Sequence, residues 1–136
     1  MKATILRECL RLSRSKIYKH HEREHWIHFS YIVQNNKILS AGTNNSHHPP
    51  IHLGYSRRLA WEGSHAKTHS EFDCWKSARG IIDKSRNWEI VNVRTNKVGA
   101  IRNSAPCNCC NAFLSEMGCV RCFYTTNECF LDMKMG

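Results

Sequence analysis

Apolar side chains recur at helical spacing from the start of the chain. Ile5, Leu6, Cys9, Leu10 and Ile17 share one side of a helix over 3–17, while Arg7, Arg11 and Arg14 follow at steps of four and three on another. Such an arginine stripe is either a solvated helix face or a contact for phosphates. From position 26 the period changes to two: Trp26, His28, Ser30 and Ile32 alternate with Ile27, Phe29, Tyr31 and Val33. That pattern fits a strand carrying large side chains on both faces. Asn35-Asn36 signals a turn, and 37–43 returns as the second strand of a hairpin.

The segment 44–67 has no such period and is rich in histidine. Loops of that length are usually functional or mobile. Beyond it, Phe72, Trp75, Ala78, Ile81 and Ile82 predict a helix over 69–84, and 88–94 reads as a strand with a turn over 95–99. Pro106 suits the first turn of a further helix, which runs through Met117 and stops at Gly118. A strand over 119–126, a turn at Asn127 and a return over 129–133 complete the chain. The order α-β-β-α-β-α-β-β predicts an α/β fold with a sheet covered by helices. So short a turn makes the last two strands antiparallel. At 136 residues the chain is most simply one domain spanning 1–136, large enough to bury a core without covalent staples.

Charge adds one clue. There are 11 Lys/Arg against 4 Asp/Glu up to Thr68, and 9 against 7 after it. An excess of this kind favours phosphate-bearing partners, although net charge alone is weakly specific. No apolar run is long enough to cross a bilayer, and Arg7, Glu8 and Arg11 interrupt what would be the apolar part of a signal peptide. The expectation is a cytoplasmic protein without a membrane partner, in which thiols stay reduced.

The eight cysteines are therefore read first as metal ligands or packed thiols. A Cys107–Cys110 disulfide would close a loop too small to restrict the unfolded chain. Cys107-x-x-Cys110 and Cys119-x-x-Cys122 could together form a zinc ribbon and make the chain a non-catalytic nucleic-acid-binding module. Only eight residues separate the pairs, however. Cys119 and Cys122, three apart on a strand, are also expected to point to opposite faces unless an irregular knuckle joins them. The other reading uses Cys107 and Cys110 alone, on one face at a helix N-terminus that favours thiolates, with Cys109 pointing elsewhere. His69 then offers a third ligand, and Glu71 a carboxylate beside it. Two Cys and one His leave a fourth tetrahedral position open, as in catalytic zinc sites.

His69-Ser70-Glu71 followed by Pro106-Cys107-Asn108-Cys109-Cys110 resembles the His-x-Glu and Pro-Cys-x-x-Cys signature of the cytidine and deoxycytidylate deaminase superfamily. His20-His21-Glu22 also satisfies the first half, so the weight lies on the pair of motifs, each opening a helix. The likeness in element order runs from about residue 3 to 130, and includes the hairpin ending in Ser-Ala-Gly-Thr-Asn and the stretch Gly-Cys-Val-Arg-Cys-Phe-Tyr-Thr-Thr. It implies a three-layer sandwich around a mixed five-stranded sheet. By the same resemblance His69, Cys107 and Cys110 bind Zn2+, and Glu71 moves protons as water attacks C4 of cytosine and ammonia leaves. Asn44 matches the family's substrate-binding asparagine, with the end of a strand as its alternative place.

The hairpin ending is more similar to free-nucleoside cytidine deaminases, so the substrate expected is a cytosine nucleoside or nucleotide. A single-stranded DNA or RNA substrate is the alternative. Arg57 and Arg58, with Trp61 beside them, would clamp a phosphate while an aromatic stacks on a base. Three features depart from the family pattern: Ser70 where alanine is usual, Cys109 inside the x-x pair, and the length of the 44–67 segment. His47, His48, His52 and His65 in that segment are read as exposed side chains in preference to a second metal site. Family members often assemble, which leaves a homo-oligomer open.

Overall fold

The computed structural model describes residues 1–17, 26–44 and 69–135. Arg57, Arg58, Trp61 and the four histidines of the preceding segment lie outside the described residues. Helix α1 (Ala3–Lys16) is followed by β1 (Trp26–Gln34) and β2 (Lys37–Thr43). Then come α2 (Ser70–Ala78), β3 (Trp88–Asn96), β4 (Ile101–Arg102), α3 (Asn108–Glu116), β5 (Cys119–Thr125) and β6 (Phe130–Lys134). The sheet runs β2-β1-β3-β5-β6, with the two-residue β4 pairing on β3 as a sixth strand. Only β3 and β5 pair in parallel, and β5 and β6 form the expected antiparallel hairpin. The fold is therefore α/β with a mixed, open sheet.

Period-two patterning explains the three layers. Ile27, Phe29, Tyr31 and Val33 of β1 and Val91 and Val93 of β3 pack with Cys9 of α1. Ile32 of β1 and Ile90 of β3 face the other way, onto Phe72, Ala78, Phe113 and Leu114 of α2 and α3. A strand buried on both faces must carry large side chains on both, as β1 does. The turn between β1 and β2 has φ near +53° at Asn35 and +57° at Asn36, the left-handed pair that a tight hairpin requires.

The arginine stripe on α1 is partly engaged within the fold. Arg11 pairs with Glu8, and Arg14 donates from Nε and Nη2 to the carbonyl of Gly99 at 3.1 and 2.7 Å.

Elements depart from expectation in four places. The helix predicted over 69–84 ends at Ala78. The N–H groups of both Ile81 and Ile82 fold back onto the Ala78 carbonyl around Gly80, and Ile81 is 59% exposed. Strand β3 continues to Asn96, because β1 pairs with it from Glu89 as far as Asn96. Pro106 precedes the N-cap of α3, which is Cys107. Finally, Cys119 and Cys122 share one face. The β3–β5 register slips between Trp88 and Glu89, leaving Val120 unpaired, so Cys119 aligns with Trp88 and Cys122 with Ile90. One extra residue turns a three-residue spacing into a two-residue one.

The helices α2 and α3 are held side by side on the sheet. Phe72 and Phe113 stack with centroids 4.3 Å apart, and Trp75 meets Phe113 edge-on at 5.0 Å. Gly42 of β2 sets how closely α2 lies: a Cβ there would stand 2.3 Å from the backbone nitrogen of Cys74. No side chain fits without lifting α2 from the sheet. Both helices thereby start close together, above the C-terminal half of β3.

Candidate active site

The two helix N-termini bring three donor atoms together. His69 is the N-cap of α2 and Cys107 the N-cap of α3, with Cys110 one turn further on. His69 Nδ1 lies 3.2 Å from Cys110 Sγ and 3.5 Å from Cys107 Sγ. All three donor atoms fall within 4.8 Å of one another, and no other such group occurs among the described residues. A tetrahedral zinc holds neighbouring sulfur and nitrogen ligands roughly 3.4–3.8 Å apart, so the group fits that ion. Cys119 and Cys122 do not join it; both are buried among Trp88, Ile90 and Cys109. Cys109 is fully buried there, as expected of a packed thiol.

The thiols are electrostatically prepared for a cation. A hydrogen bond from Cys110, followed by those from His69 and the Cys110 N–H, holds the Cys107 thiol down to about 4 against the effect of its burial. The Cys110 thiol is pushed well above its ordinary value by burial and by the neighbouring Cys107. Burial works against a charged His69 ring, but Cys107 and Glu71 outweigh it and raise its pKa. Two helix N-termini pointing at the site favour the thiolate further.

Glu71 is the buried carboxylate of the site, 6% exposed, with its oxygens outside the three-donor group. Burial lifts its carboxyl above the usual carboxylate range, partly offset by His69 and by a hydrogen bond from Asn92. Its orientation is fixed by a polar network inside the sheet. Asn92 Nδ2 donates to Glu71 Oε2 and to the Ser104 carbonyl, both at 3.1 Å. Ser30 Oγ donates to Asn92 Oδ1 at 2.7 Å and touches Ser70 Oγ at 2.7 Å, and Ser70 Oγ lies 3.2 Å from Glu71 Oε1. Ser30 spends its one hydrogen on Asn92, and the Ser70 hydroxyl donates to Glu71 Oε1. Ser70, the departure from alanine, thus helps to orient the carboxylate of its neighbour.

Asn92 and Ser30 were not singled out from the sequence. The available signal was a polar residue inside an apolar strand, Ile90-Val91-Asn92-Val93, which the alternation made easy to pass over. Asn92→Ala is expected to lower kcat about tenfold with metal content unchanged, because Glu71 loses its orienting donor. Leaving buried polar groups unpaired should also cost about 1–3 kcal/mol of stability, read from the urea midpoint.

Asn44 sits at the end of β2 and accepts from the His28 N–H at 3.3 Å through Oδ1. It therefore ties the end of β2 to β1, in the place that the capping alternative gave it. His28 is half-buried, and desolvation followed by the charges of Arg94 and His69 depresses its pKa to about 4, which leaves it neutral.

No protein-family model and no curated protein matches the chain. Among solved structures it is similar to the dCMP deaminase of the cyanophage S-TIM5. The apo form aligns with TM-score 0.58 at 14% identity, over 93% of this chain and 86% of that one. The complex of that enzyme with dCMP and dUMP aligns with TM-score 0.57 at 14% identity, over 91% and 82%. At such identity the likeness establishes a shared fold, and chemistry has to be argued from the site.

Proposed function

We propose that the chain is a zinc-dependent deaminase that hydrolyses the exocyclic amine of cytosine in a nucleoside or nucleotide. One observation carries this reading: a buried carboxylate, oriented by Asn92 and Ser70, stands beside a Cys-Cys-His group without belonging to it. Structural zinc sites close with four protein ligands, whereas three protein ligands and an adjacent carboxylate suit hydrolysis. The fold it shares with a dCMP deaminase supports the same reading.

His69, Cys107 and Cys110 would hold the ion, which when bound supplies the Lewis acidity that makes a water molecule acidic near neutral pH. Glu71 takes a proton from the water that attacks C4. It passes protons to the ring nitrogen and to the departing amine, so that water and cytosine become uracil and ammonia. The raised carboxyl pKa suits a group that must both accept and donate a proton. Asn44, with the amide end of its side chain, is the candidate for orienting sugar or base. The test is ammonia release by zinc-loaded protein on cytidine, deoxycytidine, dCMP, adenosine and short single-stranded DNA and RNA. Release from a cytosine nucleoside or nucleotide, lost in Glu71→Gln, is expected. No release from any substrate, by protein holding one zinc, overturns the reading.

A further inference from the structure

Two arginines stand together on the site's side of the sheet with no carboxylate among the described residues to balance them. Arg94 of β3 pairs in register with Arg102 of β4 on one side and with His28 of β1 on the other. Both guanidiniums lie against Trp26, at 5.7 Å for Arg94 and 4.7 Å for Arg102. Neither makes an ion pair with a described residue, and among the described residues the only side-chain hydrogen bond donated by Arg102 goes to the Ile101 carbonyl. The Nε of Arg94 is buried and lacks any hydrogen-bond partner. Stacking on an indole holds a guanidinium flat but uses none of its N–H groups. A buried donor without an acceptor is costly, and two adjacent cations repel. An anion with several acceptor oxygens would relieve both.

The position relative to the site makes that anion part of the substrate. Arg94 is two residues beyond Asn92, hence on the same face and about 7 Å further along the strand. Asn92 itself touches Glu71. His28, opposite Arg94 in register, feels the charges of both Arg94 and His69, so the arginines and the metal group flank the same stretch of β1. A nucleoside with its base at Glu71 extends its 5′ end over a distance of this order.

We propose that Arg94 and Arg102, held on Trp26, bind the 5′-phosphate of the substrate, so that the chain acts on a cytosine mononucleotide in preference to the free nucleoside. The inference rests on the deaminase reading and narrows its substrate class. A monoester dianion matches two guanidiniums, whereas each diester of a polynucleotide carries a single charge. The β3–β4 hairpin that presents both arginines closes around Asn96 and is tied to the end of β5 by Ser104 and Thr125. Ser104 Oγ meets Thr125 Oγ1 at 2.9 Å, and Thr125 Oγ1 accepts from the Arg94 N–H at 3.1 Å.

The test compares kcat/KM for dCMP, deoxycytidine and a short single-stranded oligonucleotide containing one cytosine, in wild type, Arg94→Gln and Arg102→Gln. Binding of dUMP and deoxyuridine to Glu71→Gln protein, with and without each arginine substitution, is measured alongside. Arg102 is exposed, so its variant remains informative should Arg94→Gln fold poorly. The expected result is a dCMP-over-deoxycytidine ratio that falls about ten- to hundredfold in either variant, with a matching loss of dUMP binding. An unchanged ratio and unchanged dUMP binding overturn the clamp while leaving the deaminase reading intact. Preference for the oligonucleotide with dCMP ignored also overturns it. Arginine-dependent dUMP binding in a protein without turnover would sustain the clamp and remove the deaminase reading instead.

Discussion

Glu71→Gln is expected to lower turnover by about 10²–10⁴-fold while zinc content stays the same, because it removes a proton-transfer group without removing a ligand. The same substitution should stabilise the metal-free protein. Burial raises the Glu71 carboxyl, so the folded state binds its proton more tightly than the unfolded chain does. Below the ordinary carboxylate range both states are protonated, and the two proteins should melt alike. As pH rises towards and through the raised folded value, wild type loses stability and the variant does not. An advantage of the order of 1 kcal/mol near neutrality corresponds to about 4 °C in melting temperature at this chain length. Melting curves of chelator-treated protein between pH 4 and 8 would show it. A variant less stable than wild type at neutral pH would mean that the carboxylate is held by attractions stronger than its burial.

Cys110→Ser is expected to strip the metal, and Cys119→Ser to leave it bound. Zinc in a four-ligand site contributes about 10–16 kcal/mol, so one ligand accounts for roughly 3 kcal/mol, or about a hundredfold in affinity. Zinc stoichiometry after dialysis against a weak chelator separates the two variants. Binding must also displace the proton held on Cys110, whose thiol is raised well above its ordinary value. Affinity should therefore climb with pH across the neutral range, by about tenfold per unit for each proton released. The reverse pattern, with metal lost on Cys119→Ser, would reinstate the four-cysteine site and the binding module. Either substitution buries a hydroxyl where a thiol stood, so some loss of stability accompanies both.

Much of this site is local in the chain, which is why it could be read early. His69 and Glu71 are two residues apart, Cys107 and Cys110 three, and each pair opens a helix whose apolar period is visible. The spacing within one turn determines which side chains share a face, whatever the rest of the fold does. The hairpin β1–β2 was legible for the same reason, through Asn35-Asn36 and the alternation on either side of it. The faces of Cys119 and Cys122 were misjudged because a bulge depends on how β5 pairs with β3, and pairing is not a property of β5. Asn92 escaped notice because a polar residue in an apolar strand gains meaning only from what is packed above it.

The sequence by itself determined the elements, the two motif pairs and the residue types that can hold a metal or move a proton. These follow from periodicity and from side-chain chemistry, which act over a few residues. Only the tertiary structure decided that His69 meets Cys107 and Cys110, that Asn92 orients Glu71, and that Arg94 and Arg102 each meet Trp26. Those contacts join positions tens of residues apart, and their distances come from the sheet order and from the close approach of α2 to Gly42. Helix length and turn chemistry set neither.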